Sequence, residues 1–408
     1  MLLEELEQWA EDFVAFHERF ADLYHRQEPR EQALKYLHSL LGPVERKNGW
    51  QMAEANGDKT PDATQRLLYQ AKWEADAARD RLQQFVIEVF GDEEGIGVVD
   101  ETGFLKKGDK SVGVQRQYSG TAGKKDNCQI GTFLSYASRH GHVFLDRCLY
   151  LPESWSAAPE RREQAKVPEN VVFETKPEQA AKMLEHAWEN GVPMRWVTGD
   201  EVYGDSPVLR DSIAEGGRWY VLAVRTNITV WPVRPTVAIP EYRGSGRKPT
   251  KQQVVGDPST PLSVLAVVAA WPASRWQRLT VAEGEKGPRT YDWACQRIVE
   301  HVDQLPARDG WLLARRSIAN PDDIAYYLSS APDHLPLLTL AQVASTRYTV
   351  EQCIEEAKGE AGLDHYEVRY WHSWHRHITL SMMAHSWLAS IRHKADQQKG
   401  GANLSWLN

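Results

Sequence analysis

The stretch GIGVVDETGFLKKGDKSVGVQRQYSGTAGKKDNCQIGTFLSYASRHGHVFLDRCLYL, residues 95–151, is where the chain stops reading as helix and begins to read as sheet. Ile96 to Val99 is short, apolar and rich in β-branched residues, and it ends on Asp100. The runs CQIGTFLSYA (128–137) and HVFLDRCLYL (142–151) flank Arg139-His140-Gly141, the composition of a hairpin turn. Downstream, KPEQAAKMLEHAWENG (176–191) has helical spacing, MRWVTGD (194–200) reads as a strand ending on Asp200, a helix is expected near Ser206 to Glu215, and RWYVLAV (218–224) reads as another strand. Strands and helices in this alternation predict a mixed α/β layer architecture.

Upstream, apolar residues recur at three and four spacing in LEQWAEDFVAFHERFADLY (6–24), EQALKYLHSLL (31–41) and QRLLYQAKWEADAARDRLQQFVIEVF (65–90), with Gly42-Pro43 and residues 56–61 as breakers. Scattered basic residues, among them Arg26, Arg30, Arg46, Lys47, Lys59 and Arg66, suit either a helical DNA-binding domain or a helical cap with a solvated face. From about Arg225 to Leu340 short β-rich runs follow, LSVLAVVAAW, QRLTVAE, GWLLARR and DIAYYLS, before helical pattern returns in Tyr348 to Ala361 and His372 to His393. The domains expected are residues 1–92, 93–225, 226–340 and 341–408.

Composition narrows the class. No apolar run approaches the roughly 18 to 20 residues of a membrane span, and the acidic, amphipathic N-terminus lacks the features of a signal peptide, so a cytoplasmic protein is expected. The four cysteines, Cys128, Cys148, Cys295 and Cys353, form no CxxC and read as buried free thiols. A formal charge of −8 argues against a simple nucleic-acid coat protein, because phosphate binding needs positive surface, but not against an enzyme with local basic blocks.

Two strand-end carboxylates, Asp100 and Asp200, would meet at the edge of a sheet if their strands are neighbours. Close carboxylates repel unless a divalent cation neutralises them, and Mg²⁺ or Mn²⁺ takes such oxygen ligands together with phosphate oxygens. The late segment RYTVEQCIEEAKGE (347–360) offers a third: at helical spacing Arg347, Glu351, Glu355 and Lys358 share a face, while Glu356 points elsewhere and is expected to be exposed. An Asp that closes a strand also serves as a turn-former or helix cap, and the charged stripe equally suits an exposed ion-pair ladder. Basic Gly-rich segments favour the metal reading. Lys106, Lys107, Lys110, Arg116, Lys124 and Lys125 follow Asp100, and Arg243, Arg247, Lys248 and Lys251 lie in the later β-rich region. His372, His375, His377 and His385 lack a partner at zinc spacing and read as packing or DNA-backbone contacts, and Trp231, Trp271, Trp276, Trp293 and Trp311 read mostly as core, with stacking of one of them on a flipped base as the alternative.

The runs at 19–50, 98–155, 196–210 and 355–388 resemble the bacterial transposases of the insertion-sequence-701 family, within the DDE superfamily of endonucleases and related to the insertion-sequence-4 group. The similarity extends from about residue 10 to 395. It implies an RNase H-like core preceded by N-terminal DNA-binding helices, with a β-rich insertion between the second and third acids. It also implies a triad of Asp100, Asp200 and a late Glu, holding two Mg²⁺ ions with Mn²⁺ as substitute. The related signature Tyr-x2-Arg-x3-Glu-x6-Lys selects Arg347, Glu351 and Lys358 and leaves Glu355 beside the metal ligand; its Tyr position falls on Ala344, with Tyr348 one helical step away. The implied activity is cut-and-paste transposition: phosphodiester hydrolysis at inverted repeats and strand transfer into target DNA, by a homodimer at the nucleoid. Phosphate contacts fall to Arg347, Lys358, Lys106, Lys107, Arg116, Lys124, Lys125, Arg247 and Lys248. A relative that binds DNA without cutting, or a metal-dependent phosphoesterase, is the alternative.

Overall fold

The computed structural model describes residues 3–398 apart from 243, 245–246, 258–259 and 283–286, with side chains from residue 7 onward; Arg243 of the basic loop lies outside the described residues. The chain divides into two compact units, one made of residues up to 194 together with those from 348, the other of residues 195–347. Both mix strands and helices, as the sequence predicts. No helix among the described residues is long and apolar enough to cross a membrane.

The first unit opens with five helices, α1 (Leu3–Glu18), α2 (Gln27–Leu41), α3 (Gly49–Ala55), α4 (Asp62–Tyr69) and α5 (Ala75–Phe90). The tract 65–90, expected to be one helix, is broken between α4 and α5. Gln70 and Ala71 both donate backbone N–H groups to Arg66 O, and the fully buried Trp73 turns back to donate Nε1 to Leu67 O at 2.9 Å. Four strands follow: β1 (Ile96–Leu105), β2 (Gln115–Ser119), β3 (Lys124–Ser138) and β4 (Gly141–Tyr150). β1 and β4 flank β3, all antiparallel, with β2 on the far end of the β4 edge, and the hairpin at Arg139-His140-Gly141 is as expected. Asp100 does not end its strand. Pairing with β3 runs unbroken from Ile96 opposite Ala137 to Leu105 opposite Cys128, so the ladder carries β1 five residues past Asp100. Burial against neighbours, more than residue polarity, decides where a strand stops. After α6 (Glu153–Ser156) and α7 (Pro159–Gln164), α8 (Lys176–Glu189) is started by a reciprocal cap in which Thr175 and Glu178 satisfy each other's backbone N–H.

In the second unit β5 (Trp196–Gly199), α9 (Glu201–Gly204), α10 (Pro207–Glu215) and β6 (Trp219–Val224) form a parallel βαβ connection. Then come β7 (Thr229–Trp231), β8 (Thr236–Ala238), β9 (Gln253–Val255), β10 (Leu262–Ser263), α11 (Val264–Ala269), β11 (Gln277–Ala282), β12 (Arg289–Val302), β13 (Leu305–Arg316), β14 (Ile324–Ser329) and α12 (Leu337–Ser345). Within this unit the strand order is β10-β7-β12-β13-β14-β6-β5, with β11 also on β12 and β8 with β9 as a separate ribbon. LSVLAVVAAW, expected as strand, is mostly helix: Ser263 Oγ accepts the Ala266 N–H and caps α11 after two residues of strand.

The chain returns to the first unit as α13 (Tyr348–Glu360) and α14 (Trp371–Gln398). α14 is buried for most of Ser373 to Ser390 and packs against β4, α2, α4, α5 and α13, which makes it the axis of this unit's core.

Candidate functional site

Residues two apart on a strand share a face, so Asp100 and Thr102 stand on the same side of β1. Thr102 reports what covers that side. Its Oγ1 accepts from Lys358 Nζ at 2.9 Å, and Lys358 also donates to Thr121 Oγ1 at 3.2 Å. Lys358 belongs to the last turn of α13, so the helix carrying Glu351 packs on the side of the sheet to which Asp100 belongs. Glu101 faces the other way and is ion-paired with Lys176 at the start of α8. Of two adjacent acids, one is therefore committed to a fold contact while Asp100, half-buried, accepts the Glu101 N–H at 2.7 Å with Oδ1. Glu351 is exposed in the first turn of α13.

Asp200 belongs to the second unit, where it ends β5 as the sequence predicts. It is also the N-cap of α9: its Oδ1 accepts the Val202 N–H at 2.9 Å, a role open to any strand-end Asp.

The stripe of four charges is not one helix face. Thr346 closes α12 by bonding back to Gln342 O through both its N–H and its hydroxyl, and α13 begins at Tyr348, so Arg347 sits in the turn between helices. Ala344, at the position of the signature tyrosine, is buried in α12 and thus in a different helix from Glu351. Glu355 is exposed. Glu356, expected to be exposed, is instead the anchor of α13. Its side chain is 27% exposed, and its oxygens meet Arg392 Nη1 at 2.8 Å, His385 Nε2 at 3.2 Å and His142 Nε2 at 3.7 Å. Burial acts to raise its pKa, but the hydrogen bonds from His142, His385 and Arg392 outweigh it and hold the carboxyl well below the usual range. The partners come from β4 and α14, far away in sequence, so helical spacing alone could not identify them.

Among the basic residues, Lys106 departs most from expectation. Its Nζ donates to Tyr366 O at 2.9 Å and lies 3.5 Å from the centre of the Tyr366 ring, and burial lowers its pKa to about 8. Its ammonium is used inside the fold. Lys107, Arg116, Lys124 and Lys125 are exposed in the first unit, Lys124 lying 3.8 Å from Asp126, and Arg247 and Lys248 are exposed in the second. The histidines of α14 serve packing: His377 Nδ1 shares a hydrogen bond with Tyr36 Oη at 2.8 Å, and His372 and His375 bond to backbone carbonyls. Trp231, Trp271 and Trp293 are buried, and all four cysteines are free, Cys128 and Cys353 buried and Cys148 and Cys295 partly so.

Among the described residues no three His, Cys, Asp or Glu side chains form a ready metal cluster. Asp100, Asp200 and Glu351, the acids singled out in the sequence, are all carboxylates, the hard oxygen ligands that Mg²⁺ and Mn²⁺ take.

The chain is similar to known proteins in three respects. The sequence matches the family described as DDE superfamily endonuclease over residues 19–288, which include Asp100 and Asp200. It is 29% identical over 199 residues to the probable transposase for insertion sequence element IS701 of Microchaete diplosiphon, covering 48% of this chain and 49% of that protein, so the chain spans about half the length of that relative. Its coordinates are similar to the cryo-EM structure of the piggyBac transposase synaptic complex with hairpin DNA, at 10% identity and a TM-score of 0.44 over 93% of this chain and 69% of that one. The resemblance to insertion-sequence-701 transposases is thereby borne out, and the chain belongs to the DDE superfamily endonucleases.

Proposed function

We propose that this chain is a DNA transposase that cuts phosphodiester bonds at the ends of an insertion element and joins the freed 3′ ends to target DNA. The observation that carries the reading is the pairing of β1 with α13: the strand bearing Asp100 is covered, on Asp100's own side, by the helix bearing Glu351. Family membership supports Asp200 as the second acid. In this reading the strands that carry Asp100 and Asp200 belong to an RNase H-like core. Residues 1–92 supply DNA-binding helices, 226–340 a β-rich insertion, and 341–408 the helices that complete the core.

Asp100, Asp200 and Glu351 would hold Mg²⁺ or Mn²⁺, two ions in this reading, which when bound supply Lewis acidity at the scissile phosphate. The chain's own part is to bind and orient. Lys358 is held by Thr102 and Thr121, so its charge stays beside the acid-bearing strand. Arg347, at the entrance to α13, offers a planar fork suited to phosphate. Lys107, Arg116, Lys124 and Lys125 would line the path of duplex DNA, and Arg247 and Lys248 would reach it from the insertion, giving salt-sensitive binding. A homodimer bridging two element ends and acting at the nucleoid completes the proposal.

The test is Mn²⁺-dependent nicking of duplex DNA carrying the ends of the element, with binding measured separately. Asp100→Asn, Asp200→Asn and Glu351→Gln should each abolish nicking while binding persists, and Glu355→Gln should leave nicking measurable. Loss with Glu355→Gln but not with Glu351→Gln would move the third ligand. Wild-type protein that binds the ends and never nicks them would mark a relative that has kept binding alone.

A further inference from the structure

The first unit contains an open cleft of about 1020 Å³, and none of its lining residues belongs to the acid set. α3 and α4 form one wall; Lys166 and the segment leading into α14 form the other. In a chain of net charge −8 the cleft gathers four cations, Lys47, Arg66, Lys166 and Arg369, against two carboxylates, Asp62 and Glu367. Arg66, Lys166 and Arg369 are exposed and come from three separate segments, and none of them forms a salt bridge among the described residues. Like charges gathered in one concavity repel, so an anionic ligand would relieve the arrangement.

Two features say what else that anion carries. Trp50 is 60% exposed, yet its backbone is fixed, because Asn48 Oδ1 accepts both the Trp50 and the Gln51 N–H at 3.0 and 3.1 Å. An open indole face carried on a fixed backbone offers a stacking platform. Across the cleft Tyr69 and Tyr370 meet edge to face at 5.3 Å, and Lys166 Nζ lies 4.4 Å from the Tyr370 ring. Lys166 has a positive φ, +55°, as the residue that closes α7 in a left-handed C-terminal turn, and this fixes where its backbone stands. The hold is visible: Lys166 N bonds Glu163 O and Val167 N bonds Arg162 O, both at 2.9 Å.

We propose that this cleft binds an unpaired stretch of DNA, with phosphates on Arg66, Lys166 and Arg369 and a base stacked on Trp50. The proposal rests on the reading of DNA as substrate. A duplex keeps its base faces stacked inside and cannot offer one to Trp50, whereas a single strand can. The experiment titrates the full chain with a fluorescent 12-nucleotide oligothymidine and with a 12-base-pair duplex, at several salt concentrations. Trp50→Ala should weaken oligothymidine binding roughly tenfold and Trp50→Phe should restore most of it. The triple variant Arg66→Ala/Lys166→Ala/Arg369→Ala should lower the slope of log affinity against log salt by about 2, three contacts at about 0.7 each. Far-UV circular dichroism and urea midpoints like those of wild type report that the variants are folded, and in each of them duplex binding should fall less than oligothymidine binding. Wild-type oligothymidine affinity in the triple variant overturns the proposal, as does an equal loss for single strand and duplex. The two readings fail separately. Asp100→Asn that still binds oligothymidine leaves the cleft untouched, and a wild-type chain that shows the expected cleft pattern but never nicks element ends refutes the transposase and not the cleft.

Discussion

Removing the carboxylate of Glu300 should strand a buried guanidinium in the second unit. Glu300 and Arg210 are 4% and 3% exposed, with Arg210 Nε 2.7 Å from Glu300 Oε2. Tyr220 Oη donates to the other carboxylate oxygen, and Arg210 Nη1 donates to Gly204 O. Glu300→Ala therefore leaves the guanidinium without a counter-charge, held only by Gly204 O, and the Tyr220 hydroxyl without an acceptor. Breaking a buried pair from one side costs about 3–5 kcal/mol, and an unsatisfied buried hydroxyl about 1–3 kcal/mol. The two share a partner and do not simply add, so a loss of about 4–6 kcal/mol is expected. That is a large part of the roughly 5–15 kcal/mol that holds a domain. Replacing the whole set by apolar groups, Arg210→Met/Glu300→Leu/Tyr220→Phe, removes the stranded groups and should return to within about 2 kcal/mol of wild type. Urea unfolding of the full chain, followed by fluorescence, reads this. Because the chain has two compact units, the transition that moves is the one to analyse, without assuming a single two-state step. A Glu300→Ala shift below about 1 kcal/mol, or a triple variant as unstable as the single one, would refute the reasoning. The network also bears on the site, since Gly204 ends the short helix that Asp200 caps.

Stability should fall on mild acidification. Burial lowers the pKa of His375 to about 4 and that of His377 to about 3, from an ordinary 6.5. A histidine depressed by folding contributes stability that is present above 6.5 and lost as pH drops toward the folded value. Two such groups amount to about 4 kcal/mol between pH 7 and pH 5. Urea midpoints at the two pH values check this, and His377→Gln should remove about half the difference; a flat profile in wild type would contradict it. Lys106→Met should leave the salt slope of duplex binding unchanged, because its ammonium is already held by Tyr366, whereas Lys124→Met/Lys125→Met should lower it by about 2. Equal slopes in both variants would remove the distinction.

Much of the architecture was legible because local pattern and burial agree. The 139–141 hairpin, the helix expected in 176–191 and found as Lys176–Glu189, and the strand ending on Asp200 all carry their signals within a few residues. What was not legible depends on partners remote in sequence. β1 outruns its apolar segment because β3 pairs with it, and α11 replaces a strand because one serine hydroxyl caps it. On α13 the periodicity separated Glu356 from the Glu351 face correctly but could not see His142, His385 and Arg392 waiting on the other side. Lys106 illustrates the same limit. A lysine in a Gly-rich basic loop has the composition of a phosphate contact, and only the fold brings Tyr366 beneath it.

The interruption of the first unit by residues 195–347 has a consequence in time. Its core axis, α14, and the helix bearing Glu351 leave the ribosome only after the whole of that interruption. At the usual 5–20 residues per second, the N-terminal portion waits roughly ten to thirty seconds for them. Until then β4 and the faces of α2, α4 and α5 lack the helix that buries them. The nascent chain is therefore protease-sensitive in that interval, and a chain stopped at residue 347 should be digested much faster than one that continues through α14.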